Sequence, residues 1–593
     1  MIKLPPNGRW LQQGQSDLFG SLWSSFNLNL TDVIGKTKIS PRTRITTDDI
    51  TDLGVPVAFL TFTDQNAGVQ YVWSVAGGYV FRMALASGYQ TAFAKDTSAG
   101  TPNNVCSSDV SDIAFSGKDW MIVTSTDDIY RYNASTGEWN DGDGILGSGV
   151  HMACFYAGKF YVIASAGQKI YSFTPANYSD VSVSGSGTLN ITNKGYNVTS
   201  LTFVKPASNR IWAGSINQSE NGCYMFAWDG AVADDPNEVY IIPDASGVLA
   251  GVIKDDTPWI IDSNARLMYF NGSTFVPALY GKLPVKNSKL LKNPLSANND
   301  RWIHPNGMGI VDGRINILVN NEYEDNGATI SENFPSGVYE YDPETGWTHK
   351  YSLSLYNGSI SDYGQNRVSR VGAIYANKSE KVTGGSANGT MLLGAQLFSD
   401  SSSTKEVISI DDTGDTLQKY GYLVTTKFFS GKIQDEWEKL YIRFKKFLNS
   451  SDTITVKYRT EESAPTEATI TWTSTTTFTT TTDVSAYKAG DEVEGIQGKG
   501  SGFTAHLTVD PVNNAGTYTC TVDAAFTGAS SGTAKVRFQK WRKAGAYNSQ
   551  SLSFAEFPIG IPSTYIQLKI GFLFTGNDEV DDFLLINKTN KEE

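Results

Sequence analysis

The sequence predicts an all-β chain: a β-propeller of about seven blades, a C-terminal antiparallel β-sandwich with a small inserted β unit, and an extended N-terminal arm. Three observations carry this. The apolar content is rich in Tyr, Phe, Trp and Val, which favour the half-buried surface of a strand. A short aromatic strand motif recurs at blade-like spacing. Past residue 413 the texture changes to strict two-residue alternation.

Composition removes several classes first. Of 593 residues, 12% are aromatic and only 18% charged. A disordered chain has few aromatics and high charge. Ala, Glu, Lys and Leu do not dominate as in a coiled coil, and no apolar run approaches the roughly 20 residues of a membrane helix, so no stable membrane insertion is expected. Cys106, Cys154, Cys223 and Cys520 lie far apart, without a C-x-x-C pair, so neither a zinc ribbon nor a redox motif is present. The opening Met1 to Trp10 has no apolar signal core. Folding in a reducing cytoplasm with free, buried thiols is expected.

The repeat is an apolar-aromatic-x-aromatic strand followed by Asn or Asp and a turn. It reads Ile129-Tyr130-Arg131-Tyr132-Asn133 and again Val338-Tyr339-Glu340-Tyr341-Asp342. Both run into similar turns ending at Trp139 and Trp347. Weaker copies begin at Ile170, Met225, Leu267 and Val407, with a first copy at Val80. Upstream of most copies two apolar strands flank a short turn, as in Ile113 to Val123, Ala153 to Ile163 and Gly309 to Val319. Gly or Asp-Gly there supplies the positive backbone angle of a tight hairpin. Strand, turn, strand, Tyr-x-Tyr strand and a fourth strand make a propeller blade. Seven blades of about 50 residues need about 350, and residues 51–413 provide them, with the longer intervals taken as surface insertions. An array of sandwiches with coincidental Tyr-x-Tyr strands is the plainer alternative.

Residues 414–593 alternate instead. Examples are Leu440 to Lys445, Ile454 to Arg459, Val536 to Trp541 and Tyr565 to Ile570. Such strands have one buried and one wet face, as in a sandwich. Residues 484–533 read as the inserted unit. Residues 1–50 read as the arm, with Leu18, Phe19, Leu22, Trp23 and Phe26 on one face of a short helix, docked on the chain's own sandwich or on a neighbouring subunit.

Chemistry-bearing clusters are sparse. The histidines are His151, His304, His349 and His506; none lies near a Gly-x-Ser-x-Gly elbow. Asn140-Asp141-Gly142-Asp143-Gly144 and Asp411-Asp412-Thr413-Gly414-Asp415 offer oxygen ligands but not a twelve-residue calcium loop, and read as acidic turns. Gly498-Lys499-Gly500-Ser501-Gly502 has the composition of a phosphate nest but reads as a flexible hairpin tip. No catalytic, cofactor or metal residues are expected, and no enzyme. Lys439, Arg443, Lys445, Lys446, Lys457, Arg459, Arg537, Lys540, Arg542 and Lys543 decorate the sandwich strands. They suit either phosphate contact or a solvated strand face with protective edge lysines. Net charge is −13, most of it before residue 414; the near-zero local charge of residues 414–593 disfavours tight DNA binding.

With the arm segment Gly8-Arg9-Trp10-Leu11-Gln12-Gln13-Gly14, the large degenerate propeller, and the sandwich opened by Trp437-Glu438-Lys439-Leu440-Tyr441-Ile442-Arg443-Phe444, the chain resembles virion proteins of tailed bacteriophages, most nearly the tail nozzle proteins of short-tailed phages. The resemblance implies a structural, non-enzymatic homo-oligomer, a hexameric ring below a tail adaptor or portal-proximal ring. It also implies tail fibres on its outer surface and double-stranded DNA passing transiently through a channel without specific binding. The virion tail, assembled in the host cytoplasm, would be its location. The competing expectation is a receptor- or glycan-binding propeller of a tail fibre or tail tip, with Trp139, Trp228 and Trp347 stacking on sugars; blade packing is the plainer role for those three.

Overall fold

Strand pairing in the computed structural model divides the chain into one array of four-stranded sheets and two larger β units. The structure describes most of residues 54–588, together with the strands Ile2–Leu4, Leu22–Phe26, Leu28–Val33, Lys36–Pro41 and Ile45–Asp49. Stretches outside the description include 5–21, 97–108, 286–302, 321–335, 353–366, 377–390 and 411–419. Among the described residues no helix is long and apolar enough to cross a membrane.

Among the described residues seven antiparallel sheets of four strands follow one another. Sheet 1 comprises Pro56–Asp64, Val69–Ala76, Tyr79–Ala84 and Ala94–Lys95; sheet 2 comprises Val110–Phe115, Trp120–Ser125, Ile129–Asn133 and Glu138–Asn140. Sheets 3, 4, 5 and 6 begin with Ala153–Tyr156, Val198–Ala207, Val248–Lys254 and Met308–Val311. Sheet 7 is built from Arg367–Ala376, Met391–Phe398, Ser403–Ile410 and, as its fourth strand, Ile45–Asp49 from the other end of the chain. Each recurrence of the aromatic motif falls in a third strand, from Val80 in sheet 1 to Val407 in sheet 7. The first strands of successive sheets lie side by side, and the first strand of sheet 7 lies against those of both sheet 6 and sheet 1. The fold is thus all-β and propeller-like.

Two close approaches mark the seam between sheets 7 and 1. A Cβ on Gly372 or on Gly394 would stand 1.9 Å from the Pro56 carbonyl oxygen. Only glycine lets the start of sheet 1 reach the strands of sheet 7.

The sandwich has two six-stranded sheets. One orders Leu28–Val33, Lys36–Pro41, Val580–Lys588, Glu436–Phe444 and Phe554–Pro562, with Ile2–Leu4 also on Val580–Lys588. The other orders Leu22–Phe26, Tyr420–Thr425, Tyr565–Leu573, Thr453–Arg459 and Arg542–Tyr547, with Phe428–Phe429 also on Tyr565–Leu573. Trp437, Leu440 and Ile442 from the first sheet meet Ile454, Leu568 and Phe572 from the second in one apolar core. Alternate residues of Thr453–Arg459 are buried, as the period of two requires.

This corrects the expected domain plan in three ways. Leu22, Trp23 and Phe26 lie in a strand paired with Tyr420–Thr425, not in a helix; Leu18 and Phe19 lie outside the described residues. Five residues are too few to nucleate a stable helix, and an available strand edge decides. Residues 1–50 are no separate arm: up to Pro41 their strands belong to the sandwich, and Ile45–Asp49 completes sheet 7. The seven-sheet array is therefore an insertion between the two parts of the sandwich. The inserted unit is also wider than 484–533. Its seven-stranded sheet takes in Thr466–Trp472, Thr477–Thr480 and Gly532–Gln539, because these strands carry Trp472, Phe478 and Phe538 into that unit's own core.

Candidate functional site: the polar cluster where the sheets converge

Asp112, on the first strand of sheet 2, is 4% exposed. Its carboxylate accepts the backbone N–H of Ile113 at 2.9 Å and of Ala153, from sheet 3, at 2.9 Å. It also accepts the Asn306 amide at 2.8 Å. Asn306 lies just ahead of the first strand of sheet 6 and reaches further. Its amide donates to the Val57 carbonyl of sheet 1 at 3.1 Å, and its amide oxygen accepts Lys205 Nζ of sheet 4 at 3.4 Å. Its backbone carbonyl accepts the N–H of Ile374 of sheet 7 at 2.9 Å. One side chain and its backbone thus tie together elements of sheets 1, 2, 4, 6 and 7.

Burial raises the Asp112 pKa, against the opposing pull of Lys205 and the three donors. His304, buried in the turn before Asn306, has its pKa lowered to about 3, first by desolvation and then by the Lys205 charge. It is neutral at pH 7, and its Nδ1 accepts the Asn306 N–H at 3.1 Å. Burial pushes the pKa of the Cys154 thiol, which also feels the Lys205 and Asp112 charges, up to about 12, so it is protonated at neutral pH. Nothing in the sequence flags Asp112, Lys205 or Asn306, since each is an isolated polar residue in an otherwise ordinary strand or turn.

The repeated aromatics form the seams between sheets. Tyr132 Oη donates to Asp64 of sheet 1 at 2.5 Å, and Trp139 Nε1 to Asp96 at 2.8 Å. Arg82 pairs with Asp96 at 3.2 Å and lies over the ring of Tyr71. Sheet 6 repeats the device: Tyr341 Oη donates to the Leu279 carbonyl at 2.6 Å and Trp347 Nε1 to the Gly281 carbonyl at 3.0 Å, both in sheet 5. Trp228 packs edge-on to Tyr161 of sheet 3. Trp228 and Trp347 are 0% and 1% exposed, so neither presents a face to a sugar, and Trp139 is partly buried with its N–H committed.

Hairpin turns join the sheets as well. Gly117, Gly158 and Gly313 carry the expected positive φ. In sheets 4 and 5 Ser208-Asn209 and Asp255-Asp256 do so instead. Asp256 there accepts the Ser208 N–H at 2.7 Å and its hydroxyl at 3.0 Å.

The other candidates disperse. His151 Nδ1 donates to the Ile163 carbonyl at 2.7 Å. His349 is buried against Tyr339. His506 faces Glu492 and Asp523 at 3.9 and 3.5 Å. Among the described residues no group of three or more His, Cys, Asp or Glu is placed to hold a metal ion. Asp141 to Asp143 and Asp411 to Asp415 lie outside the described residues, as do Cys106 and the Gly8 to Gly14 segment. Cys154, Cys223 and Cys520 are free and buried; burial pushes the Cys154 and Cys520 thiols up to about 12. Gly500 is no flexible tip: a Cβ there would meet Phe526 at 2.9 Å and Trp472 at 3.2 Å.

Lys445 and Lys446 lie outside the described residues, and several of the other basic residues are held by partners within the chain. Lys457 pairs with Glu492, Arg537 with Glu467 and Lys540 with Asp491. Arg459 stacks on Trp541, and Lys439 pairs with Glu556. The sequence does not single out the acids that hold them.

No protein-family model and no curated protein matches the chain. Solved structures do. The extracellular domain of BT4673 from B. thetaiotaomicron, assigned as a hybrid two component system, is similar over 80% of this chain and 47% of its own, at 11% identity and TM-score 0.38. YCF48 from Cyanidioschyzon merolae is similar over 62% of this chain and 99% of its own, at 12% identity and TM-score 0.35. The computationally designed Ika8 protein is similar over 68% and 99%, at 14% identity and TM-score 0.34. The chain spans about half the length of the B. thetaiotaomicron domain.

Proposed function

We propose that the seven sheets close into a single seven-bladed propeller, and that the chain is a structural component of a tailed-phage virion. Its place is the tail nozzle, as an oligomeric ring around the genome-ejection channel, in contact with a tail adaptor and with tail fibres. The observation that carries this reading is where the reactive and polar groups are spent. Asp112, Lys205, His304 and Asn306 are used in joining five sheets, and the repeat aromatics in sealing the seams. What remains is building material, in keeping with the architecture that resembles the nozzle proteins.

Asn306 also crosses the region where the first strands converge, so DNA has no path along that axis. The channel belongs instead to the centre of a ring of copies. An acidic chain, net −13, suits a wall along which DNA slides without sticking. Negative-stain imaging of the purified chain tests this, with rings expected and a glycan array expected to be silent. Dispersed monomers that capture a host glycan would replace the nozzle with a receptor-binding role.

A further inference from the structure

The inserted unit and the sandwich have separate apolar cores. Trp472, Phe478 and Phe538 belong to one, and Trp437, Ile454 and Phe572 to the other. The chain crosses between them twice, after Thr453–Arg459 and before Arg542–Tyr547, which are paired neighbours in one sandwich sheet. Charge lies across the junction. Lys543, Lys457 and Lys569 are register partners on three adjacent strands, and like charges directly opposite repel.

The inserted unit answers with two consecutive carboxylates. Glu492, fully buried, is hydrogen-bonded to Lys457 Nζ and stands 4.0 Å from Lys569 Nζ. Asp491, also fully buried, takes Lys540 Nζ at 2.9 Å and faces Arg542 Nε at 3.6 Å. His506 packs beside Glu492, and burial lowers its pKa, so it adds no charge at neutral pH. A buried ion pair adds little net stability compared with apolar packing, yet is costly to break from one side. A junction made of such pairs specifies orientation more than it adds stability.

We propose that Asp491 and Glu492 are an ionic latch that fixes the angle of the inserted unit on the sandwich. When they are neutralised, the unit swings on its two connections as an intact body. The test uses the full chain carrying Asp491→Asn and Glu492→Gln, with site-resolved trypsin cleavage at Lys540 and Arg542 and hydrogen exchange as readouts. Cleavage at these two sites should rise at least tenfold, while exchange in Thr466–Trp472, Gly532–Gln539 and Tyr565–Leu573 stays at the wild-type rate. Unchanged cleavage would overturn the proposal. So would lost protection inside the inserted strands, which would make the carboxylates part of that unit's own fold. Should the double variant not fold, Glu492→Gln alone serves with the same readouts; failure of that variant to fold also overturns the latch, because a latch is dispensable for folding.

Discussion

Asn306 and His304 show how a single turn can hold a large molecule together. Replacing Asn306 by Ala removes one donor from buried Asp112 and one from the Val57 carbonyl. A buried acceptor left short of a partner costs about 1–3 kcal/mol. Asn306→Ala should therefore lose about that much in urea unfolding, and an unchanged midpoint would remove the residue from the account. His304 gives a pH signature. Its folded pKa, about 3, lies below the ordinary value of 6.5. The stabilising neutral form is thus fully present above pH 6.5, and its contribution is lost as pH falls from there towards 3. Asp112 has the opposite sign, since its raised pKa makes acid relieve its burial cost. Comparison with His304→Gln isolates the histidine: the wild-type melting temperature should fall more steeply below pH 6.5 than the variant's. Parallel profiles would contradict the assignment. The joints made by Asp112 and Asn306 were not legible in the sequence, because a lone Asp in a strand or Asn in a turn carries no period and no motif. The aromatic repeat was legible because Tyr132, Trp139, Tyr341 and Trp347 recur in a fixed order to do one job.

Strands and seams were read unevenly for the same reason. Third strands announced themselves by their aromatics, whereas the fourth strand of sheet 7 did not: Ile45–Asp49 is polar, and its partner Ser403–Ile410 lies more than 350 residues away in the sequence. Pairing over such separations is invisible to local pattern. The same blindness turned strand Leu22–Phe26 into a helix face and set the inserted unit's limits too narrowly, since Ile470 and Val536 alternate like their sandwich neighbours. The seam between sheets 7 and 1 offers a direct check. A methyl group at residue 394 would fall 1.9 Å from the Pro56 carbonyl oxygen, and overpacking of this kind costs about 1–3 kcal/mol. Gly394→Ala should destabilise the chain by about that amount and raise hydrogen exchange in Pro56–Asp64 and Met391–Phe398, leaving Tyr565–Leu573 protected. Equal loss everywhere would mean that the array and the sandwich do not unfold separately.

At the scale of the molecule, the sandwich is interrupted twice, once by the seven-sheet array and once by the seven-stranded unit. Ile45–Asp49 and Ser403–Ile410, paired in sheet 7, bring the two ends of the array together, and this returns the chain to the sandwich it left at Pro41. Three bodies of β structure are thus strung on one chain: the seven-sheet array, the sandwich and the seven-stranded unit. The central claim is that this chain is a part of a ring. Electron-microscopic imaging of the purified chain tests it most directly. The account predicts closed rings with an open centre, each subunit showing a solid wheel blocked along its own axis. Single wheels with an open axial hole, dispersed at every concentration, would contradict it.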